Sequence, residues 1–191
     1  VVPIPVFRWI FFLHLRKKTN MKRSSRIVFI ALGALLVGIQ FIPVDRSNPP
    51  ADPGQDYLAL AQPPTAVATI LKGACYDCHS HNTTYPWYAY IAPVSFWIRG
   101  HINDGRRHLN FATWGASEAG RKARKLDECA EEVESKGMPE NFYTWMHASA
   151  RLTDAQRGEL VTWFKAEHEE AMSELTPEEL KKMKEHGQEH H

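Results

Sequence analysis

The fifteen residues TAVATILKGACYDCH, 65–79, carry two patterns at once. Val67, Ile70, Leu71 and Ala74 recur at i, i+3, i+4 and i+7, the spacing of one face of an α-helix. That helix runs straight into Cys75-Tyr76-Asp77-Cys78-His79, and Cys-x-x-Cys-His is the attachment sequence for c-type haem. The spacing follows from the chemistry. Two thiols bond the vinyl groups of the porphyrin and fix the ring against the chain, so the histidine beside the second cysteine sits under the iron. Cys75 and Cys78 are therefore the candidate thioether residues of one covalent haem c, and His79 the candidate proximal iron ligand. A redox dithiol would expect a βαβ context, and the sequence has no β-alternation of useful length. A zinc site would need two further ligands from Cys129 and the scattered histidines, none of which stands at a recognisable spacing.

Composition agrees with a small packed protein. A chain of 191 residues has room for one domain plus extras. Apolar residues at 43% and aromatics at 11% suit a globular fold. Lys and Arg number 23 against 22 Asp and Glu, a net charge of +1. That balance gives no support for nucleic-acid binding, which needs a strong local positive excess. Three cysteines are too few for a disulfide scaffold.

The uncharged run IVFIALGALLVGIQFIPV, Ile27 to Val44, is 18 residues long. As a helix it would span roughly 27 Å, close to the apolar thickness of a bilayer. Lys22, Arg23 and Arg26 precede it, and a cationic flank stays in the cytoplasm. The expectation is a single-pass inner-membrane anchor over 27–44 with the rest of the chain in the periplasm. A cleaved signal peptide is the competing reading, but the run ends in Phe41-Ile42-Pro43 without a small-x-small cleavage pattern. Residues 1–26 would form the cytoplasmic segment. Met21-Lys22-Arg23 looks like a natural start, which would make residues 1–20 an over-extended reading frame.

Beyond the anchor, Asn48-Pro49-Pro50, Asp52-Pro53-Gly54 and Pro63-Pro64 read as an extended tether over 45–64, because proline fixes φ and blocks helices. The expected haem domain covers 65–164. Pro93 suits the first turn of a helix whose Val94, Trp97, Ile98, His101 and Ile102 share one apolar face. A further helix spans about Ser117 to Lys136, with Ala119, Ala123, Leu126, Ala130 and Val133 as its stripe and Gly137 as its stop. Thr153 and Gln156 form a capping-box pattern before Leu160, Val161 and Phe164. Thr176-Pro177-Glu178-Glu179 opens a last helix inside a charged tail, 165–191. The fold class expected is all-α, a cytochrome-c-like packing of short helices around one haem, preceded by a transmembrane helix.

The iron's sixth ligand stays open at this level. Met138, between Gly137 and Pro139 in a loop between two helices, is the leading candidate, since a proline-held methionine is one way of presenting a thioether to iron. His147, beside Met146, is the rival. His101 lies on an apolar helix face, where a histidine is more often packed than ligating. His81 is too near His79 to reach the opposite side easily, and His108 completes the competitors.

Several separated blocks resemble one family. Ala74 to Ser80, Asn82-Thr83-Thr84-Tyr85-Pro86-Trp87, Ile91-Ala92-Pro93-Val94-Ser95, Gly105-Arg106 with Leu109-Asn110-Phe111 and Trp114, and Met138-Pro139 followed by Tyr143, His147 and Ala150-Arg151-Leu152 are similar, in order, to the bacterial haem-binding domain family. Phe41-Ile42-Pro43-Val44-Asp45-Arg46 with Asn48-Pro49 resembles that family's opening. The resemblance covers roughly Arg26 to Phe164. It implies a small cytochrome-c-like protein with haem c, an N-terminal anchor and an exported domain, and no defined reaction.

Secondary features weigh less. Trp87, Trp97, Trp114, Trp145 and Trp163, with Tyr85, Tyr88, Phe96 and Phe111, exceed what a small helical core needs, and a haem would use such surfaces, although plain core is the commoner role of aromatics and some must fill it. Arg99, Arg106 and Arg107 stand either as partners of haem propionates or as solvated residues. Cys129 borders a buried stripe and reads as an inert thiol. His186, His190 and His191 read as part of a disordered terminus or as a site for stray metal. Three functions fit: an electron carrier meeting redox proteins in the periplasm or membrane, a haem peroxidase or its accessory subunit, and a haem-based gas or redox sensor.

Overall fold

The protein is described from a computed structural model covering residues 22–188. The readings made of residues 1–20, of Met21 and of His190 and His191 lie outside the described residues, as does the side chain of His186. The chain divides at Ile42/Pro43 into two units. No strand occurs among the described residues, so the fold is all-α.

In the first unit, α1 (Arg23–Gly38) continues into a 3-10 turn, Ile39–Phe41. Arg23–Phe41 is long and apolar enough to cross a membrane, and none of it is buried. The helix begins four residues before the expected Ile27 and stops before Val44. The stop has a local cause: a residue preceding proline is driven out of the helical region, and Ile42, before Pro43, is extended (ψ 116°).

The second unit holds α2 (Tyr57–Ala61), α3 (Thr65–Ala74), α4 (Tyr76–His79), α5 (Val94–His108), α6 (Ala119–Glu134), α7 (Asn141–Met146), α8 (Asp154–Ser173) and α9 (Pro177–Gln188). The most extensive packing joins α6 to α8. Their stripes supply Leu126, Ala130, Val133, Leu160 and Phe164 to a core shared with Val67, Ile70 and Leu71 of α3. The capping box forms as the sequence predicts: Gln156 N–H donates to Thr153 Oγ1 (3.2 Å), and Thr153 N–H donates to Gln156 Oε1 (2.9 Å).

Three expectations are corrected. First, residues 45–64 are not an extended tether. Asp52 and Asp56 each cap a single helical turn, accepting from Gly54 N–H and Leu58 N–H. Tyr57, between prolines in the sequence, is fully buried, its ring 5.2 Å from Phe111 and 5.1 Å from Trp114. Trp163 Nε1–H donates to its hydroxyl at 2.9 Å. Second, the packed unit does not end at 164. α8 runs on to Ser173, the His168 ring is bonded to the Ala123 carbonyl (2.8 Å), and Leu175 is buried. Third, the left-handed residue closing α6 is Lys136 (φ 65°), not Gly137.

Candidate cofactor site

Cys75 breaks the helix that precedes it. Its φ and ψ of −122° and −40° end α3 and start the one-turn α4, which carries Cys78 and His79. α5 crosses this turn closely, and Gly105 makes the crossing possible. A Cβ there would lie 2.9 Å from the Cys78 carbonyl oxygen, a backbone atom that cannot swing away. The same glycine offers its own carbonyl to the histidine. His79 Nδ1 lies 3.0 Å from Gly105 O and 3.2 Å from Leu109 O. Two acceptors at Nδ1 require the proton there, so Nε2 keeps its lone pair. Burial holds the ring below the ordinary histidine pKa, against the upward pull of those two bonds. His79 is thus a neutral imidazole with its free nitrogen fixed by second-layer contacts, the usual preparation of a metal-binding histidine.

The chain after the motif is pinned as firmly. Arg106 of α5 donates from Nε to Ser80 O (2.7 Å) and from Nη2 to Thr83 Oγ1 (2.9 Å) and Asn48 Oδ1 (3.0 Å). Asp77 accepts from Thr84 N–H (2.8 Å) and from Tyr143 Oη (2.7 Å). His81 is engaged with Pro50 O and Asn110 Nδ2, both at 3.0 Å. Arg99 pairs with Asp45 and Arg107 with Asp104, each at 2.9 Å. None of the three arginines weighed as propionate partners lines the cavity described next; each has a protein partner.

A cavity of about 620 Å³ opens beside the motif, within the ~300–1,000 Å³ usual for cofactor sites. Cys75, Cys78, His79 and Met138 all line it, as do Phe111, Leu109, Val133 and Phe164. Burial pushes the Cys75 thiol up to about 12 and the Cys78 thiol up to about 11. Both are therefore protonated at neutral pH, unlike the thiolate of a redox dithiol pair. Cys129, which also lines the cavity, is raised too. Among the described residues, no three His, Cys, Asp or Glu side chains group to hold a bare metal ion. The donor set fits a prosthetic group that brings its metal with it.

Met138 comes to this cavity on an irregular turn. Its N–H donates to Glu132 O at 3.0 Å. Arg157 of α8 donates from Nη1 to Val133 O (3.0 Å) and to Met138 O (2.8 Å), tying the end of α6 to the methionine. His147 is elsewhere. It lines a second cavity of about 290 Å³, nearly all apolar, and the larger cavity's lining does not include it. Its Nε2 is 2.6 Å from Tyr88 Oη, and its ring stacks on Tyr143 at 4.1 Å. His101 borders both cavities, 3.7 Å from Glu140.

Two sequence readings find their place here. The α5 face of Val94, Trp97, Ile98, His101 and Ile102 buries only Ile102 and lines the smaller cavity. The tryptophans and most of the tyrosines do not cover the larger one, whose aromatic lining is Phe111, Tyr143 and Phe164. The roles of Gly105's missing Cβ, Leu109's carbonyl and Arg157 have no signal in the sequence, because no local pattern announces a contact made across the fold.

Set against known proteins, the family described as a haem-binding domain matches residues 34–166. No curated protein matches the chain. No solved structure matches it.

Proposed function

Because this chain belongs to the haem-binding domain family, we propose that it is a membrane-anchored monohaem cytochrome of the c type that carries single electrons in the periplasm. Cys75 and Cys78 would hold the haem through thioether bonds to its vinyl groups, and His79 Nε2 and the Met138 sulfur would be the protein's ligands to its iron. Haem bound there supplies one-electron iron chemistry, tuned by its ligands and their surroundings. The observation that carries this reading is the shared cavity: both motif cysteines, the neutral histidine and the methionine line one space of cofactor size. Gly105 and Leu109 keep the proton on His79 Nδ1, and Arg157 steadies the methionine turn. The helix Arg23–Phe41 supplies the anchor, and its basic flank at Lys22, Arg23 and Arg26 favours an exported domain. Redox proteins of the periplasm or membrane are the partners this reading implies.

A peroxidase is the second reading. His101 and Glu140, 3.7 Å apart on the cavity wall, are the acid–base groups it would use. It requires an open iron position, which a methionine ligand denies. The absorption spectrum of the oxidised protein separates the two. The carrier reading expects low-spin iron with a methionine–iron charge-transfer band that disappears in Met138→Ala. High-spin iron that binds cyanide rapidly would overturn it in favour of catalysis or sensing.

A further inference from the structure

Several apolar residues outside the larger cavity's lining are exposed and close together in the sequence. Trp87 and Tyr90 stand in solvent, Trp87 at 70% exposure, and Ile91, Val94, Phe96 and Trp97 are partly exposed, Val94 and Trp97 along the rim of the smaller cavity. From Pro43 onward only three other large apolar side chains, Leu60, Trp145 and Met146, are comparably exposed among the described residues. Scattered exposed apolar residues need no explanation, whereas six within eleven positions do.

The start of the second unit is fastened to this same strip. Arg99, two residues past Trp97, donates to Asp45 at 2.9 Å. The Arg46 guanidinium lies 4.4 Å over the ring of Tyr90. Asn48 Nδ2 donates to Thr83 O at 3.0 Å and Asn48 accepts from Arg106. Residues 45–48 are therefore held beside the strip and do not swing freely. Only Ile42, Pro43 and Val44 separate Phe41, where the apolar helical run ends, from Asp45. That chain is at most ~14 Å long when fully extended.

We propose that the strip from Trp87 to Trp97 rests on the bilayer surface, with its tryptophan and tyrosine rings at headgroup level. The inference rests on reading Arg23–Phe41 as a membrane anchor. If that helix spans the bilayer, the short link keeps Asp45, Arg99 and Tyr90 next to the point where the chain leaves the membrane. Tryptophan and tyrosine favour that depth because each ring is apolar with one polar edge. Arg46, beside Tyr90, adds a cation suited to anionic headgroups. The domain is then fixed in orientation as well as tied to the membrane.

The test uses the full haem-loaded chain in nanodiscs of phosphatidylethanolamine and phosphatidylglycerol. p-Benzoylphenylalanine is introduced in place of Leu32, Leu60, Trp87 or Tyr90, one position at a time. After illumination, adducts are identified by mass spectrometry. The expected result is lipid adducts at Leu32, Trp87 and Tyr90, and their loss at Leu60. Lipid adducts at Leu32 with none at Trp87 and Tyr90 would overturn the docking while leaving the anchor intact. Crosslinks from Trp87 to a second copy of the chain would overturn it as well. No lipid adduct at Leu32 would overturn the anchor, and the docking with it.

Discussion

His79 and Met138 line the same cavity but are held there by different kinds of structure. His79 closes a helical turn, and its ring is gripped by two carbonyls of the α5 region at 3.0 and 3.2 Å. α5 reaches it through a backbone-to-backbone approach that Gly105 alone permits. Met138 lies outside any helix, and what fastens it is one backbone bond and one arginine reaching over from α8. The histidine side is therefore fixed by close-packed backbone, and the methionine side by a long side chain that can yield. Segments with few packed contacts open at lower free energy than helices in the core. Under the proposed function, the difference would give the two residues different duties: His79 would define where a haem sits, and Met138 would set how firmly its iron is closed to other ligands.

Substitutions can break this contrast. The largest effect is expected from His79→Ala, which removes the nitrogen that the whole crossing prepares. It should abolish the low-spin absorption spectrum. Met138→Ala should leave the haem bound but convert the iron to a state that takes up carbon monoxide readily. If Met138→Ala leaves the spectrum and carbon monoxide binding unchanged, the methionine is not the ligand.

Gly105→Ala tests the backbone approach itself. Its Cβ must displace the Cys78 carbonyl, an overpacking that costs about 1–3 kcal/mol of unfolding free energy, and urea denaturation checks it. On the yielding side, Arg157→Gln deprives two carbonyls of a charged donor. That should cost about 1–2 kcal/mol and raise the rate at which carbon monoxide displaces the methionine, measured by stopped flow. A variant that lost the same stability with no change in that rate would deny Arg157 a hold on Met138. The smallest effect is expected at the iron from His147→Ala. Its nitrogen already meets Tyr88 and its ring lines the other cavity, so the haem spectrum should not move.

What the sequence made legible follows the range of the interactions. The helix 65–74, the cysteine motif beside it and the Thr153–Gln156 box are written within a few residues of themselves. The methionine loop was legible because proline and a helix stop frame it. Tyr57 was not, since a five-residue helix is too short to display a period and the surrounding prolines suggest extended chain. The two aspartates that cap its turns were the available signal. The face of α5 was legible as a face and not as a site: apolar spacing groups Val94, Trp97, Ile98, His101 and Ile102, but it does not say whether protein or a cavity covers them. Arg106 resembled a ligand-binding arginine because a guanidinium's partners are set by tertiary packing. Its actual partners, Ser80, Thr83 and Asn48, lie 23 to 58 residues away.

The central claim is that Cys75 and Cys78 carry the haem covalently. The direct measurement is the intact mass of the protein, produced in a host that matures c-type cytochromes and then denatured in acid–acetone. A mass increase of one haem that survives this extraction, and is lost in the Cys75→Ala, Cys78→Ala double variant, is the predicted result. A protein that yields its haem to the solvent, or gains no mass from the same host, would contradict it.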